Sequence, residues 1–192
     1  MKTKRELRKM LLERRQNLSK DDIKKASSNI IHQLSKMEVF KRSKVIGIYM
    51  PLGSEMNVLN LLDLYPDKIF CIPKTYGNQM DFIEYDQTTK LIKTNFGLLE
   101  PESGKVLNDE LDLVIVPALG MTKDGYRLGY GAGYFDRFFT IYQKPYKIGI
   151  IYQGEEVEFE KDEFDIKLDT YLLGWNGVRH GYRNTCRTIW IN

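Results

Sequence analysis

The chain has 192 residues, 42% hydrophobic and 29% charged, which suits one globular domain with a core of its own, covering residues 1–192. Its 29 basic and 26 acidic side chains give 29 − 26 = +3, too small a surplus to argue for nucleic acid as a partner. No apolar run approaches the roughly 20 residues of a membrane span, and the basic N-terminal stretch lacks the apolar segment of a signal peptide. A monomeric cytoplasmic protein is the expectation. Cys71, Cys186, His32 and His180 are too scattered for a disulfide framework, a zinc site or a histidine-based triad.

In chain order, a first helix places Leu7, Met10, Leu11 and Leu18 on one face. Ser19 to Asp22 resembles a capping box and opens a second helix, striped by Ile23, Ala26, Ile30, Leu34 and Met37. Residues 44–50 are apolar and β-branched and read as a buried strand, with Cys71 buried in a later one. A helix is predicted over 55–64, strands over 68–72 and 81–85, and a loose connection rich in Gly and Pro over 89–105. The clearest strand is 111–116, ended by Pro117 and Gly120. A helix starting near Ala132 or Gly133 runs to Phe139, and strands follow at 147–152 and 170–173. Short apolar strands alternating with helices predict an α/β fold with a mostly parallel sheet covered on both faces. Residues 174–192 break the pattern and form a divergent tail. There Arg179, His180, Arg183 and Arg187 lie among Trp175, Tyr182 and Trp190, a mix that can hold single-stranded RNA, although a solvated or packed tail explains it more simply.

The chemistry concentrates after the 111–116 strand. Gly129, Gly131 and Gly133 alternate through LGYGAGYFD. Such glycines let backbone N–H groups converge on an anion, and the following helix points its positive end at the same place. Arg127 suits a phosphate as a planar fork. Asp136, one turn into the helix, is a candidate Mg²⁺ ligand beside a polyphosphate. Tyr130 and Tyr134 flank the glycines and suit a flat ring or an oxygen. The glycines alone read equally well as a tight strand-to-helix connection; Arg127 and Asp136 shift the reading towards an anion site.

The segment VPALGMTKDGYRLGYGAGYFDRF also closely resembles the signature of the 5-formyltetrahydrofolate cyclo-ligase family, D-x-x-G-x-R-L-G-x-G-x-G-Y-Y-D after a strand ending in V-P-G. The resemblance extends from the first helix to about residue 173. It implies a three-layer α/β/α sandwich similar to the ribose-phosphate isomerase and CoA transferase-like folds. It also implies ATP- and Mg²⁺-dependent closure of 5-formyltetrahydrofolate to 5,10-methenyltetrahydrofolate, with a non-catalytic folate- or nucleotide-binding protein as the alternative. The implied ATP site comprises Lys4 and Arg8, the run Arg127, Leu128, Gly129, Tyr130, Gly131, Ala132, Gly133, Tyr134 and Phe135, and Asp165. The implied substrate site comprises Met50, Glu55 and the segment from Tyr130 to Tyr134, bordered by Pro73, Lys74 and Met80. Arg127, Tyr134 and Asp136 are the implied catalytic group, and Asp136 and Asp165 the implied metal ligands. Glu100 and Pro101 read as structural, and Asp169 matches a second family aspartate.

Plainer readings stand beside these. Lys4 and Arg8 fit a solvated basic face with Lys2, Arg5, Lys9, Arg14 and Arg15. Glu55 fits the first turn of a helix. Asp165 fits an acidic loop with Glu155, Glu156, Glu158, Glu160, Asp162 and Glu163. The chain departs from the family pattern at Thr122, where aspartate is usual, and at Phe135, where tyrosine is usual. A glutamine near Gly154 and a downstream proline are missing, and the tail is unlike the family core.

Overall fold

The computed structural model describes residues 1–175 and 177. Helix α1 (Lys4–Gln16) starts at a capping box in which Thr3 and Glu6 bond each other's backbone N–H, and α2 (Lys20–Lys36) starts at the predicted box of Ser19 and Asp22. Met37 caps a one-turn helix α3 (Glu38–Arg42), which leads into strand β1 (Val45–Gly47). Next come α4 (Leu61–Leu64), β2 (Ile69–Tyr76), β3 (Gln79–Tyr85), β4 (Leu91–Lys93) and β5 (Leu99–Pro101). The second half holds β6 (Leu113–Pro117), β7 (Gly120–Met121), β8 (Arg127–Leu128), α5 (Tyr134–Ile141), β9 (Tyr146–Tyr152) and β10 (Thr170–Gly174).

Six strands form one sheet in the order β10-β9-β6-β1-β2-β3. Every pairing is parallel except β2 with β3, a hairpin turned at Gly77 with φ +58°. A parallel sheet is covered on both faces, so its central strands read as continuous apolar runs. All five residues of β6 are buried. Alternation sends Leu113 and Ile115 to one face, under α2, and Val114 and Val116 to the other, under Phe138 and Phe139 of α5. A third cluster lies outside the sheet, where Leu7 and Leu11 of α1 pack on Leu119, Leu128 and Phe159.

The three-layer α/β arrangement follows the sequence expectation; several elements differ in detail. The helix expected over 55–64 shrinks to α4. Ahead of it the chain is a loop whose backbone groups are taken by side chains: the Ser27 hydroxyl accepts from Asn57 N at 2.8 Å, and Asn57 accepts from Leu59 N at 2.9 Å. Side-chain partners of that kind compete with helical hydrogen bonds. The connection over 89–105 contains the β4–β5 ladder. The strand expected at 44–50 is registered only over β1, although Ile48 N still donates to Cys71 O at 2.8 Å. Met10 is solvent-exposed rather than on the packed face of α1. Cys71 is buried, as expected, and burial pushes its thiol pKa up, which makes it unreactive. The tail from residue 178, with its arginines and aromatics, lies outside the described residues.

Gly47 is needed for space. A Cβ there would come within 2.8 Å of the Phe82 ring, which is fully buried and packs edge-on against Phe138 at 5.0 Å. Gly47→Ala is expected to cost about 1–3 kcal/mol by overpacking, read as a lower urea midpoint at unchanged slope. Phe82→Leu in that background should recover part of the loss; strictly additive effects would contradict the contact.

Candidate active site

Ligands of open α/β sheets bind beyond the carboxyl ends of the strands. Here that edge gathers the loops after β1, β6 and β9, the β7–β8 hairpin, the glycine loop and one face of α1. Gly129 is dictated by Arg127: a Cβ at 129 would fall 2.5 Å from Arg127 NH1. Gly131 and Gly133 have φ of +109° and +71°, which other residues rarely adopt. Gly133 is the N-cap of α5 and offers no side-chain cap, which leaves the first-turn N–H groups to whatever stands in front of the helix.

Arg127 is 6% exposed, yet its hydrogen bonds are long: 3.3 Å to Pro117 O and 3.4 Å to Asp136 Oδ2. Among the described residues its buried Nε has no hydrogen-bond partner. Burial pushes its pKa below the usual arginine range, with Asp136 opposing. Phe135 lies under this guanidinium, 5.1 Å from ring centre to Cζ. Asp136 also accepts from Ile166 N at 3.1 Å through Oδ1, which brings the neighbouring Asp165 to the same corner. Asp165 and Asp162 each bond Lys4 Nζ at 2.6 Å. Burial works against the Lys4 charge, and the two carboxylates outweigh it, so the lysine pKa is raised. Arg8 Nε donates to Gly129 O at 2.8 Å, and its guanidinium flanks Gly131. The sites inferred at Lys4, Arg8, Arg127, Asp136 and Asp165 are thus brought together around one loop.

Glu55 lies across from them. It is half-buried, accepts from Leu52 N at 2.8 Å, and borders a small cavity with Arg15, Tyr49 and Tyr152. Burial raises its pKa, opposed by Leu52 N–H, Tyr130, Arg15 and Arg127. Glu55 thus sits in a loop and not in the first turn of a helix. Tyr134 turns to the β2–β3 hairpin, donating to Gly77 O at 2.7 Å, while Arg137 bonds Asn78 O at 2.6 Å and Ala132 O at 2.7 Å. Leu128 is buried under α1. Met50 packs in the core cluster with Met56 and Tyr152. Lys74 holds Pro101 O at 2.8 Å, and buried Glu100 accepts from the Thr75 hydroxyl at 2.6 Å, in keeping with the structural reading of the Glu100–Pro101 pair. Met80 is buried among the residues under α5.

The sequence reading missed Arg15 and Glu155. It grouped Arg15 with a solvated basic face and Glu155 with a solvated acidic loop. They are 3% and 1% exposed and form a two-pronged ion pair, Nε to Oε1 at 2.8 Å and NH2 to Oε2 at 2.6 Å. A signal was present: Leu7, Leu11 and Arg15 are spaced by four and share the packed face of α1. Next to the pair lies a cavity of about 10 Å³, bordered by Tyr49, Glu55, Met56 and Tyr152. A roomier cleft of about 430 Å³ opens at the opposite, amino-terminal edge of the sheet. Its carboxylates cap backbone, Asp112 taking Lys44 N and Val45 N and Asp169 taking Lys147 N. Asp169 is therefore a capping residue in this fold.

The carboxyl edge thus combines a glycine loop, a buried arginine with long hydrogen bonds, and carboxylates. Residues 1–173 match the 5-formyltetrahydrofolate cyclo-ligase family, and the chain belongs to it. A probable 5-formyltetrahydrofolate cyclo-ligase of Schizosaccharomyces pombe is 30% identical, covering 92% of this chain and 98% of that protein. The mouse 5-formyltetrahydrofolate cyclo-ligase is 28% identical over 88% of this chain and 92% of its own. The solution structure of an Aquifex aeolicus 5,10-methenyltetrahydrofolate synthetase superposes with a TM-score of 0.76 at 29% identity, covering 96% of this chain and 98% of that one. These likenesses favour an enzyme over a folate or nucleotide binder without turnover. Among the described residues no helix is long and apolar enough to cross a membrane.

Thr122, one of the departures from the family pattern, is fully buried in the β7–β8 turn. Its hydroxyl accepts from Tyr126 N at 2.9 Å and donates to Asp124 at 2.6 Å. Thr122→Val should cost about 1–3 kcal/mol by orphaning that N–H, whereas Thr122→Ser should keep most of the stability. Equal melting of the two variants would contradict this role.

Proposed function

We propose that the chain closes 5-formyltetrahydrofolate to 5,10-methenyltetrahydrofolate at the carboxyl edge of its sheet, with ATP as phosphoryl donor and Mg²⁺ as cofactor, releasing ADP and phosphate. The observation that carries the proposal is the Arg127 guanidinium: buried, loosely bonded, and with Nε unpartnered among the described residues, beside a helix start without a side-chain cap. A buried arginine left in that state is matched by an anion that accepts from it in fork geometry.

The residues fit both groups. Arg127, Arg8, Lys4 and the backbone from Gly129 to Gly133 suit a triphosphate. Asp136 and Asp165 are a hard, all-oxygen donor pair of the kind Mg²⁺ takes when phosphate oxygens complete its shell. Bound there, Mg²⁺ supplies neutralisation of phosphate charge. Both carboxylates are held by cationic or backbone partners, so their positions are set before any ligand arrives.

The chemistry balances without a covalent enzyme intermediate. The formyl oxygen attacks the γ-phosphorus, and the bond from that phosphorus to the ADP oxygen breaks. The N10 nitrogen then adds to the activated formyl carbon. The carbon–oxygen bond breaks, and phosphate and the N10 proton leave. A poor leaving group has become a good one. The chain's part is to position the reactants and stabilise charge, which is where phosphoryl transfer draws its rate. Arg127, on β8 and reaching Pro117 at the end of β6 and Asp136 in the first turn of α5, faces the charge that develops on the transferring group. Glu55 and the Tyr130 ring are placed to hold the folate, and Met50 to back it. Tyr134, which the family resemblance puts in the catalytic group, acts here by fixing the loop to the Gly77 turn.

The test is direct. Purified protein, 5-formyltetrahydrofolate, Mg²⁺ and ATP should give the near-ultraviolet absorbance of the methenyl product, with no rise when ATP or Mg²⁺ is left out. Asp136→Ala should lower kcat by a factor of about 100 or more, the scale of a lost charge-stabilising group, while the protein melts as a folded domain. Retained turnover in that variant would remove Asp136 from the metal site. No turnover in the wild type would return the reading to a non-catalytic binder.

A further inference from the structure

We infer that Arg15 is a positioning residue: clamped by Glu155, it fixes the Tyr130 hydroxyl on the side of the site where Glu55 stands. The inference rests on the cyclo-ligase reading only in taking Glu55 as the folate contact.

Arg15 is a donor at every nitrogen. Three short bonds set its plane: two to Glu155 and one from NH2 to Ala118 O at 2.7 Å. Glu155 is itself set by Tyr152 N, which donates to Oε2 at 2.9 Å. The ring of Tyr152 lies against the guanidinium, 5.0 Å from centroid to Cζ. The remaining arm, NH1, reaches the Tyr130 oxygen at 3.3 Å. A phenol that accepts from arginine keeps its own proton to donate elsewhere. The carboxylate on this side is Glu55, which borders the same small cavity as Arg15 and whose charge acts on the phenol.

The arrangement orders a chain, Glu155 to Arg15 to Tyr130, that crosses from the loop after β9 through α1 to the glycine loop, with Glu55 of the loop after β1 beside it. Tyr130 is about half exposed, while its hydroxyl meets the buried Arg15. Burial, then Glu55, push the phenol pKa up, so it remains a proton donor at neutral pH. The ionisable groups facing Glu55 are Arg15 from α1, Arg127 from β8, Tyr130 from the glycine loop, Tyr49 beyond β1 and Tyr152 at the end of β9. Glu155 adds a negative charge behind Arg15. Burial favours the protonated acid at Glu55, and Arg15 and the Tyr130 hydroxyl oppose it. Removing Arg15 therefore moves the Glu55 pKa up, and the acid limb of the pH profile moves up with it.

A buried ion pair is removed most safely as a pair, because apolar residues of similar volume can replace both charges without loss of fold. The variants are the double substitution Arg15→Met with Glu155→Met, the single Tyr130→Phe, and the three combined. Arg15→Lys keeps the charge and loses the planar fork, and it serves if the double variant fails to melt cooperatively. The readouts are the dissociation constant of 5-formyltetrahydrofolate without ATP, the KM of each substrate, and kcat/KM against pH.

The double variant is expected to weaken folate binding roughly tenfold, about 1.4 kcal/mol, with KM for ATP changed by less than about twofold, and to shift the acid limb upward. Tyr130→Phe should do the same, and the triple variant should be no worse than the double, since the residues act in series. Arg15→Lys should weaken folate binding with a smaller limb shift. A folded double variant, or failing that Arg15→Lys, with wild-type folate binding and an unmoved acid limb would overturn the inference. So would effects of the pair and of Tyr130→Phe that multiply. If the wild type binds 5-formyltetrahydrofolate without turning it over, the proposed reaction fails, and the binding series still decides the role of Arg15.

Discussion

The ion pair between Arg15 and Glu155 is the contact on which the arrangement of the carboxyl edge depends. One guanidinium touches the loop after β9 through Glu155, the loop after β6 through Ala118 O, and the glycine loop through Tyr130. Helix α1 otherwise meets the rest of the molecule through a modest apolar patch around Leu7 and Leu11. Arg14 adds bonds to Gln153 O at 2.8 Å and Gly154 O at 2.6 Å, and Arg8 adds Gly129 O at 2.8 Å. A helix that brings Lys4 and Arg8 to the glycine loop is thus fixed by polar bonds to the very loops of the carboxyl edge.

Such a pair is weak evidence for net stability, because taking both charges out of water costs about as much as their attraction returns. Its value lies in geometry. A bidentate arginine permits one orientation of its plane, and an apolar contact between α1 and these loops would permit sliding. The same logic explains why the charges at the glycine loop are only partly satisfied. Lys4 and Asp165 hold each other at 2.6 Å, whereas Arg127 and Asp136 stand 3.4 Å apart. The tight pair sets position, and the loose one leaves both groups with hydrogen-bonding capacity to spare.

The sheet was readable from the sequence because its physics is local. Runs such as those of β6 and β9 are apolar on both faces, which a parallel strand covered twice requires. The helix starts were readable for the same reason, Ser19 and Asp22 being a capping box within one turn. The glycine loop with Arg127 and Asp136 was visible as spacing, and the family resemblance added Lys4, Arg8, Glu55 and Asp165. What the sequence did not disclose was set by distant partners. Arg15 and Glu155 are 140 positions apart, and each sits among like charges that suggest solvent. The 55–64 segment has helical composition, but Ser27 of α2 takes its backbone N–H at Asn57. Thr122 looked like a lost aspartate, and only the hairpin shows its hydroxyl closing the turn.

The central claim is that the carboxyl edge directs a phosphoryl group onto the formyl oxygen, so that this oxygen departs as phosphate. The most direct test uses 5-formyltetrahydrofolate carrying ¹⁸O in the formyl group, with unlabelled ATP and Mg²⁺, and mass analysis of the phosphate released. The account predicts one ¹⁸O in each phosphate, formed in step with the methenyl product. Unlabelled phosphate accompanying methenyl formation would mean that ATP is hydrolysed without activating the formyl oxygen, and would contradict it.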